Sequence, residues 1–158
     1  MNKKTKPKNT SSVIAVNRKA RHDYSIEKTI DAGLVLHGWE VKSIRASRVN
    51  ISDSYVVFKD REAFVLNSHF SPLNSTCTHT KVEPFRTRKL LLHRKELNYL
   101  IGMRERGGYT VVPLKLFWEK NKVKLQIALA KGKKLFDKRA DDKKRDWQRQ
   151  QAKILRQK

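Results

Sequence analysis

Residues 109–131, YTVVPLKLFWEKNKVKLQIALAK, decide the fold, because two β-rich runs here flank one polar turn. The turn falls at Glu119–Lys122, so the segment predicts an antiparallel hairpin. Pro113 cannot donate to a β-ladder and therefore predicts an edge strand or a bulge. A second hairpin is predicted in residues 52–72, SDSYVVFKDREAFVLNSHFSP, with its turn around Lys59–Glu62.

Shorter patterns around these hairpins supply the remaining elements. VIAV (13–16) predicts a first strand, and the alternation that begins at Tyr24 predicts a half-buried strand with a bulge or bend at 32–33. The spacing of apolar residues in 40–48 predicts a short helix. The apolar stripe in 88–108, RKLLLHRKELNYLIGMRERGG, predicts a longer helix that ends at its glycine pair.

About six short strands with two or three helices before residue 130 predict a mainly β protein, an OB-like antiparallel barrel. A two-layer α+β sandwich is the alternative. The composition divides the chain into a flexible basic arm (1–11), the barrel (12–130) and a basic C-terminal tail (131–158). Since the tail has too few apolar residues for a core, we expect it to be disordered when free and helical when bound.

The net charge of +22 is concentrated at the two ends of the chain. Residues 1–21 carry seven Lys or Arg and no acidic residue, and residues 131–158 carry twelve against four acidic residues. Nucleic acid is the polyanion that such a distribution favours, and an anionic membrane is the competing partner. No apolar run approaches the length of a transmembrane helix or a signal peptide, and Cys77 is the single cysteine. These features predict a cytoplasmic protein.

Neither a metal site nor a catalytic centre is indicated. Cys77 and His79 form one short pair, whereas a structural zinc site needs four ligands, so we expect no metal or other cofactor. The acidic candidates for a metal-dependent nuclease are spread one per element among basic residues, which favours ion pairing over catalysis. We therefore expect no enzyme; a nuclease acting through Asp31, Glu40 and Asp53 is the weakest alternative.

Basic residues alternate with aromatic ones in several segments, a combination that neutralises phosphates and stacks on unpaired bases. Trp39 lies between a glycine and a charged run, and Trp147 lies where no core is available. No recognition helix or zinc finger is indicated, so single-stranded or looped RNA is the favoured ligand. A structural ribosomal protein or a general RNA-binding protein is the alternative reading.

Several blocks, in order along nearly the whole chain, resemble the bacterial SsrA-binding protein (small protein B) family. They are NRKARHDY (17–24), DAGLVLHGWEVKSIR (31–45), ISDSYVVF (51–58), RTRKLLLHRKEL (86–97), GYTVVPLKLFW (108–118) and KVKLQIALAKGKKLFDKR (122–139). The resemblance implies an OB-like barrel that binds the tRNA-like domain of transfer-messenger RNA (tmRNA) for trans-translation, the rescue of stalled ribosomes. Asp31 stands where the family commonly has Glu. The tmRNA-binding residues that it implies are Arg21, His22, Asp31, Ala32, Gly33, Trp39, Glu40, Lys42, Ser43, Arg45, Leu91, Leu92 and His93.

The resemblance also implies that the tail enters the empty mRNA channel of the small ribosomal subunit, beside the decoding region, and becomes helical there. Phe136 replaces the family's usual His or Tyr, so we expect stacking there more than hydrogen bonding. Alanyl-tmRNA and elongation factor Tu are the implied partners in the same complex, and no membrane is involved. The implied ribosome-binding residues are Lys131, Gly132, Lys133, Lys134, Phe136, Asp137, Lys138, Arg139, Lys143, Lys144, Arg145 and Trp147.

Overall fold

A computed structural model of the chain describes residues 12–74, 79 and 81–156. The predicted arm (1–11) and Cys77 lie outside these residues. The described part contains nine strands and four helices. In chain order they are β1 (Ser12–Val16), α1 (Arg18–Asp23), β2 (Tyr24–Leu34), α2 (Gly38–Arg45), β3 (Val49–Asn50), β4 (Tyr55–Lys59), β5 (Glu62–Leu66), β6 (His69–Phe70), β7 (Arg88–Leu91), α3 (Arg94–Glu105), β8 (Thr110–Glu119), β9 (Lys122–Gly132) and α4 (Leu135–Leu155).

Seven strands form one antiparallel sheet in the order β1-β8-β9-β2-β7-β5-β4, and β3 pairs with β6 in a second, two-stranded sheet. The large sheet curls, because Cα atoms of the edge strand β4 come within 8 Å of those of β8. The predicted mainly β, OB-like architecture is confirmed. The predicted strand count of about six is too low. The two-residue strands β3 and β6 and the four-residue strand β7 are too short to show a clear alternation of polar and apolar residues in the sequence.

Both predicted hairpins are confirmed, and each closes on a two-residue turn. The central residues of these turns, Lys120–Asn121 and Asp60–Arg61, all have positive φ, between 47° and 62°. Paired positive φ values match the right-handed twist of the flanking strands. The ladder between β8 and β9 shifts register between Pro113 and Lys115, so the proline marks a bulge on an inner strand.

Two sequence predictions are wrong in detail. The helix predicted over 88–108 occupies only Arg94–Glu105, and Arg88–Leu91 forms strand β7 between β2 and β5. Alternate burial of Arg88 and Leu90 is the strand pattern that the neighbouring leucines concealed. The bulge predicted at 32–33 lies instead between Ile26 and Lys28.

Helix α1 is fixed to the sheet by the buried side chain of Asn17. Its Oδ1 accepts from the backbone N–H of Ala20 at 3.0 Å and so caps the helix. Its Nδ2 donates to the carbonyl of Pro113 at 3.0 Å, at the bulge of β8. A small apolar cluster under α1 completes the anchorage, and it contains Ala20, Val112, Leu114, Ala128 and Ala130.

The predicted tail begins inside the barrel and continues as one long helix. Strand β9 extends two residues past the predicted boundary, because Lys131 and Gly132 pair with Ser25 and Tyr24. Helix α4 then buries none of its described side chains. None of the helices in the described residues is long and apolar enough to cross a membrane. Disorder of the free tail stays a prediction.

Candidate RNA-binding surfaces

A groove at the ends of β2 and β7 brings together five of the predicted tmRNA-binding residues: Asp31, Gly33, Leu91, Leu92 and His93. Strand pairing aligns Gly33 with Leu91, and His93 follows β7 as the N-cap of α3. A Cβ atom on Gly33 would lie 3.1 Å from Cβ of Leu91, which is a tight contact, so a glycine favours this close approach. We call this surface the β2–β7 groove.

An apolar floor and a charged rim give the β2–β7 groove the chemistry of an RNA site. Leu91 is 53% exposed, so its side chain offers an apolar surface to a ligand in the groove. Oδ1 of Asp31 accepts from Nε2 of Gln126 at 3.0 Å, which holds the carboxylate at the groove. The rim carries charges of both signs, since Glu62 and Glu96 line it together with the cations Arg61, Lys89, Arg94 and Lys124. Lys89 pairs with Glu62 at 2.6 Å and Lys124 with Glu119 at 3.2 Å. Arg61 and Arg94 are therefore the rim cations best suited to bind phosphates, while the floor can contact sugars or bases.

Helix α2 presents only part of its predicted RNA face to solvent. Lys42 and Arg45 are exposed, and both can reach phosphates. Trp39 is 5% exposed and packs in the main core, so the expectation that it stacks on a base is wrong. Ala32, Glu40 and Ser43 are fully buried, and their side chains cannot contact RNA in this conformation. The sequence could not distinguish the two faces of a helix only eight residues long.

Glu40 forms a buried ion-pair network with two arginines that no sequence pattern singled out. Its Oε1 accepts from Nε and Nη2 of Arg86 at 2.9 and 2.6 Å, and its Oε2 accepts from Nε of Arg88. Arg88 is fully buried, lies 3.8 Å from the ring centroid of Phe70 and donates to the carbonyl of Ser68. Burial lowers the pKa of Arg88, and the hydrogen bond to Glu40 opposes that shift. This network orients α2.

His22 lies away from the β2–β7 groove, at the junction between α1 and α4. Its Nδ1 is 3.1 Å from Oδ1 of Asp23, and its Nε2 is 3.1 Å from Oδ1 of Asp142 on α4. The hydrogen bond with Asp23, followed by the hydrogen bond with Asp142, raises the pKa of His22. The hydrogen bond with His22, ahead of Lys138, lowers the pKa of Asp23.

The same junction binds the start of the tail. The backbone N–H of Lys133 donates to the carbonyl of Asp23 at 2.9 Å, and Nζ of Lys138 lies 3.3 Å from Oδ1 of Asp23. Nζ of Lys133 pairs with Asp141 and also donates to the carbonyl of Arg21 at 3.3 Å. The Arg21 side chain is exposed beside this contact. Two predicted tmRNA-binding residues, Arg21 and His22, therefore lie at the root of the tail.

Beyond that root, α4 presents aromatic and basic groups to solvent together. Phe136 is 66% exposed and Trp147 is 60% exposed, so neither contributes to a core. Asp137 lies in the first turn, where a carboxylate is favourable. Five further predicted tail cations are exposed, namely Lys134, Arg139, Lys143, Lys144 and Arg145. This helix can stack on bases and neutralise phosphates along one length of RNA.

Among the described residues, no three His, Asp or Glu side chains gather in a way that could hold a metal ion. The three carboxylates of the nuclease alternative have separate partners. Asp31 accepts from Gln126, Glu40 binds its arginines, and Asp53 lies 3.2 Å from Nζ of Lys19. The described surface therefore offers charge and stacking groups and no carboxylate cluster.

Comparisons with known proteins agree with this geometry. A family model described as SmpB protein matches residues 14–157. An SsrA-binding protein of Alcanivorax borkumensis is 53% identical over 152 residues, 96% of each chain, and one of Coxiella burnetii is 52% identical over 99% of this chain and 98% of the relative. A solved structure described as "tmRNA-SmpB: a journey to the center of the bacterial ribosome" contains a chain that is 43% identical, with a TM-score of 0.62, covering 76% of this chain and 84% of that one. The chain belongs to the SmpB family of SsrA-binding proteins.

Proposed function

We propose that this protein binds tmRNA and delivers it to stalled ribosomes for trans-translation. The observation that carries the proposal is the β2–β7 groove, which gathers Asp31, Gly33 and Leu91–His93 on one surface beside Arg61 and Arg94. Family membership supports it, since the relatives are described as SsrA-binding proteins and the solved neighbour as part of a tmRNA–SmpB structure. The protein acts by binding and positioning RNA.

The tRNA-like domain of tmRNA occupies the β2–β7 groove in this proposal. Exposed Leu91 contacts the sugar or base surface, while the rim cations bind phosphates. Lys42 and Arg45 on α2 extend the phosphate contacts. Glu40 and Ser43 act indirectly, because their buried hydrogen bonds hold α2 in place for those two cations.

In this proposal, helix α4 senses whether the mRNA channel of the ribosome is empty. A channel emptied of mRNA is walled by RNA phosphate, and a single basic helix fits where a packed domain would not. The exposed rings of Phe136 and Trp147 stack on ribosomal bases, and the surrounding lysines and arginines neutralise phosphates. Binding there is coupled to ordering of the tail, which keeps it dependent on an empty channel.

The same complex contains alanyl-tmRNA and elongation factor Tu, and its place of action is the cytoplasm. A structural ribosomal protein would share the small barrel and the basic helix. The two functions differ in stoichiometry, since an adaptor dissociates from salt-washed subunits and a structural component remains at one copy per subunit.

The RNAs that copurify with the tagged full-length protein test the proposal. We expect one dominant RNA with a tRNA-like end, retained at a salt concentration that removes non-specific RNA. Leu91→Asp should retain clearly less of that RNA, because a carboxylate on the groove floor repels phosphates and weakens binding about tenfold. A broad mixture of RNAs, unchanged by Leu91→Asp, would contradict the proposal.

A further inference from the structure

The two-stranded sheet of β3 and β6 has one buried face and one solvent face. Val49 pairs with Phe70 and Asn50 with His69, and the N–H of Ser71 donates to the carbonyl of Arg48 at 3.0 Å, which extends the ladder by a pair. Phe70 is buried in the main core. Since neighbouring side chains on a strand alternate between faces, the solvent face presents Arg48, Asn50, His69 and Ser71.

An exposed aromatic ring lies against this solvent face. Phe85, from the loop before β7, has its ring centroid 4.8 Å from that of His69. The exposed fraction of Phe85 is 59%, so its ring is available for stacking and contributes little to the core. The loop is held in place, because the carbonyl of the preceding Pro84 accepts from the N–H of Phe70 at 3.1 Å. We call Phe85 and the solvent face of β3–β6 the Phe85 platform.

Polar groups surround the ring in the same cleft, which is lined by Asn50, Asp53, Asn67, His69 and Phe85. Oδ1 of Asn50 accepts from the N–H of Ser52 at 2.8 Å, and Nδ2 of Asn67 donates to the carbonyl of Asp53 at 3.2 Å. Nδ2 of Asn50 and Oδ1 of Asn67 are then the donor and the acceptor that the edge of a nucleobase requires. The carboxylate of Asp53 accepts hydrogen bonds, which suits an exocyclic amine or a ribose 2′-hydroxyl. None of these side chains lines the β2–β7 groove.

Positive charge borders the platform as well. Arg48 is exposed at one end of the ladder, and Nζ of Lys19 lies 3.2 Å from Oδ1 of Asp53 at the other side of the cleft. A peptide ligand is not favoured, because an extended peptide pairs along a strand and this ladder is only three residue pairs long. A single unpaired nucleotide instead needs one ring to stack on, one polar edge and one cation for its phosphate.

We propose that the Phe85 platform is a third RNA-binding site, besides the β2–β7 groove and helix α4, and that it takes one unpaired nucleotide of single-stranded RNA. The base stacks on Phe85 beside His69, its edge meets Asn50 and Asn67, and its phosphate contacts Arg48. This site is independent of the β2–β7 groove and lies outside the surfaces invoked for the proposed function.

Photochemical crosslinking of the full-length protein tests the site. The probe is a single-stranded heptamer of 5-bromouridine, whose base links under ultraviolet light to an aromatic ring on which it is stacked. Mass spectrometry locates the linked residue, which separates the platform from binding by the basic tail. We expect links at Phe85 or His69 in the wild-type protein.

Phe85→Leu should reduce links at the platform about fivefold or more, the loss expected for one base–aromatic stack. Tyr99→Leu is the matched control, since Tyr99 is also an exposed aromatic residue but lies on α3, and it should leave these links unchanged. Because Phe85 is exposed, we expect Phe85→Leu to fold normally, and circular dichroism checks this. Leu91→Asp should retain the platform links while it binds the tRNA-like RNA about tenfold more weakly, so a failure of the platform can be distinguished from a failure of the groove.

Links confined to the tail, or platform links that persist in Phe85→Leu, would overturn the proposal. Equal linking of a duplex of the same length would also overturn it, because a paired base cannot leave its stack to lie on Phe85. A competition experiment gives the remaining contradictory result. If an added peptide abolished the links but an added unmodified heptamer did not, the platform would bind peptides in place of RNA.

Discussion

Replacing Glu40 by glutamine distinguishes a structural role for this residue from a direct role in RNA binding. The carboxylate accepts from Arg86, from Arg88 and from the backbone N–H of His37. Glu40 and Arg88 both have side chains that are 0% exposed. Glu40→Gln keeps the size of the side chain but removes its charge, so the Arg88 guanidinium loses its buried counter-ion.

Breaking a buried ion pair on one side costs about 3–5 kcal/mol, because the remaining charge cannot be solvated. We therefore expect Glu40→Gln to lower the free energy of unfolding by about 3–5 kcal/mol. The double variant Glu40→Gln/Arg88→Met should recover part of that loss, since it removes the stranded charge and leaves an apolar side chain beside Phe70.

Equilibrium unfolding in urea, followed by circular dichroism, measures these differences. Glu62→Gln is the control, since Glu62 pairs with Lys89 at 2.6 Å but both side chains are more than 40% exposed. Surface pairs of this kind contribute about 1 kcal/mol or less. Unchanged stability of Glu40→Gln with a large loss of RNA affinity would refute the reasoning and return Glu40 to the RNA contact surface.

Three further changes test the groove, the tail root and the tail helix. Leu91→Asp should weaken binding to the tRNA-like RNA about tenfold, the effect of roughly 1.4 kcal/mol, with the urea midpoint unchanged; an unaltered affinity in filter binding would contradict the groove. The pKa of His22 is raised, so His22 stabilises the docking of α4 fully below pH 6.5, and this stabilisation is lost as the pH rises through the raised pKa. The pKa of Asp23 is lowered, so Asp23 stabilises docking fully above pH 3.8, and this stabilisation is lost as the pH falls through the lowered pKa. NMR should show α4 docked most fully between these limits, and Asp142→Asn should weaken the loss of docking at the upper limit; docking independent of pH would contradict this. Trp147→Ala should change the free energy of unfolding by less than about 0.5 kcal/mol and yet reduce tagging on stalled ribosomes. Normal tagging would contradict the proposal that the Trp147 ring stacks on a ribosomal base.

The hairpins and the exposed tail aromatics could be predicted from sequence because their signals are local. Alternation on both sides of a polar turn determined β4–β5 and β8–β9. Each turn contains one residue type that tolerates positive φ, Asp60 in the first and Asn121 in the second. The bulge that Pro113 predicted is present, since the β8–β9 ladder shifts register between Pro113 and Lys115. Phe136 and Trp147 lie in a segment with too few apolar residues for a core, and both are exposed.

The buried ion-pair network and strand β7 could not be predicted, because their causes are not local. Arg88 is a charged residue in a basic run, and its buried counter-ion, Glu40, lies 48 positions earlier in the chain. Trp39 follows a glycine at the start of a short helix, and only the packing of α2 against the sheet places it in the core. For β7, the leucines suited either element, and pairing with β2 and β5 decided the outcome.

The division of labour between barrel and tail is tested most directly by a chain that ends at Gly132, the last residue of β9. Its affinity for the tRNA-like RNA and its support of tagging on stalled ribosomes are measured side by side with the full-length protein. The β2–β7 groove is complete in this variant, so RNA affinity should be retained while tagging is lost. Loss of RNA affinity, or tagging that continues without α4, would contradict the account.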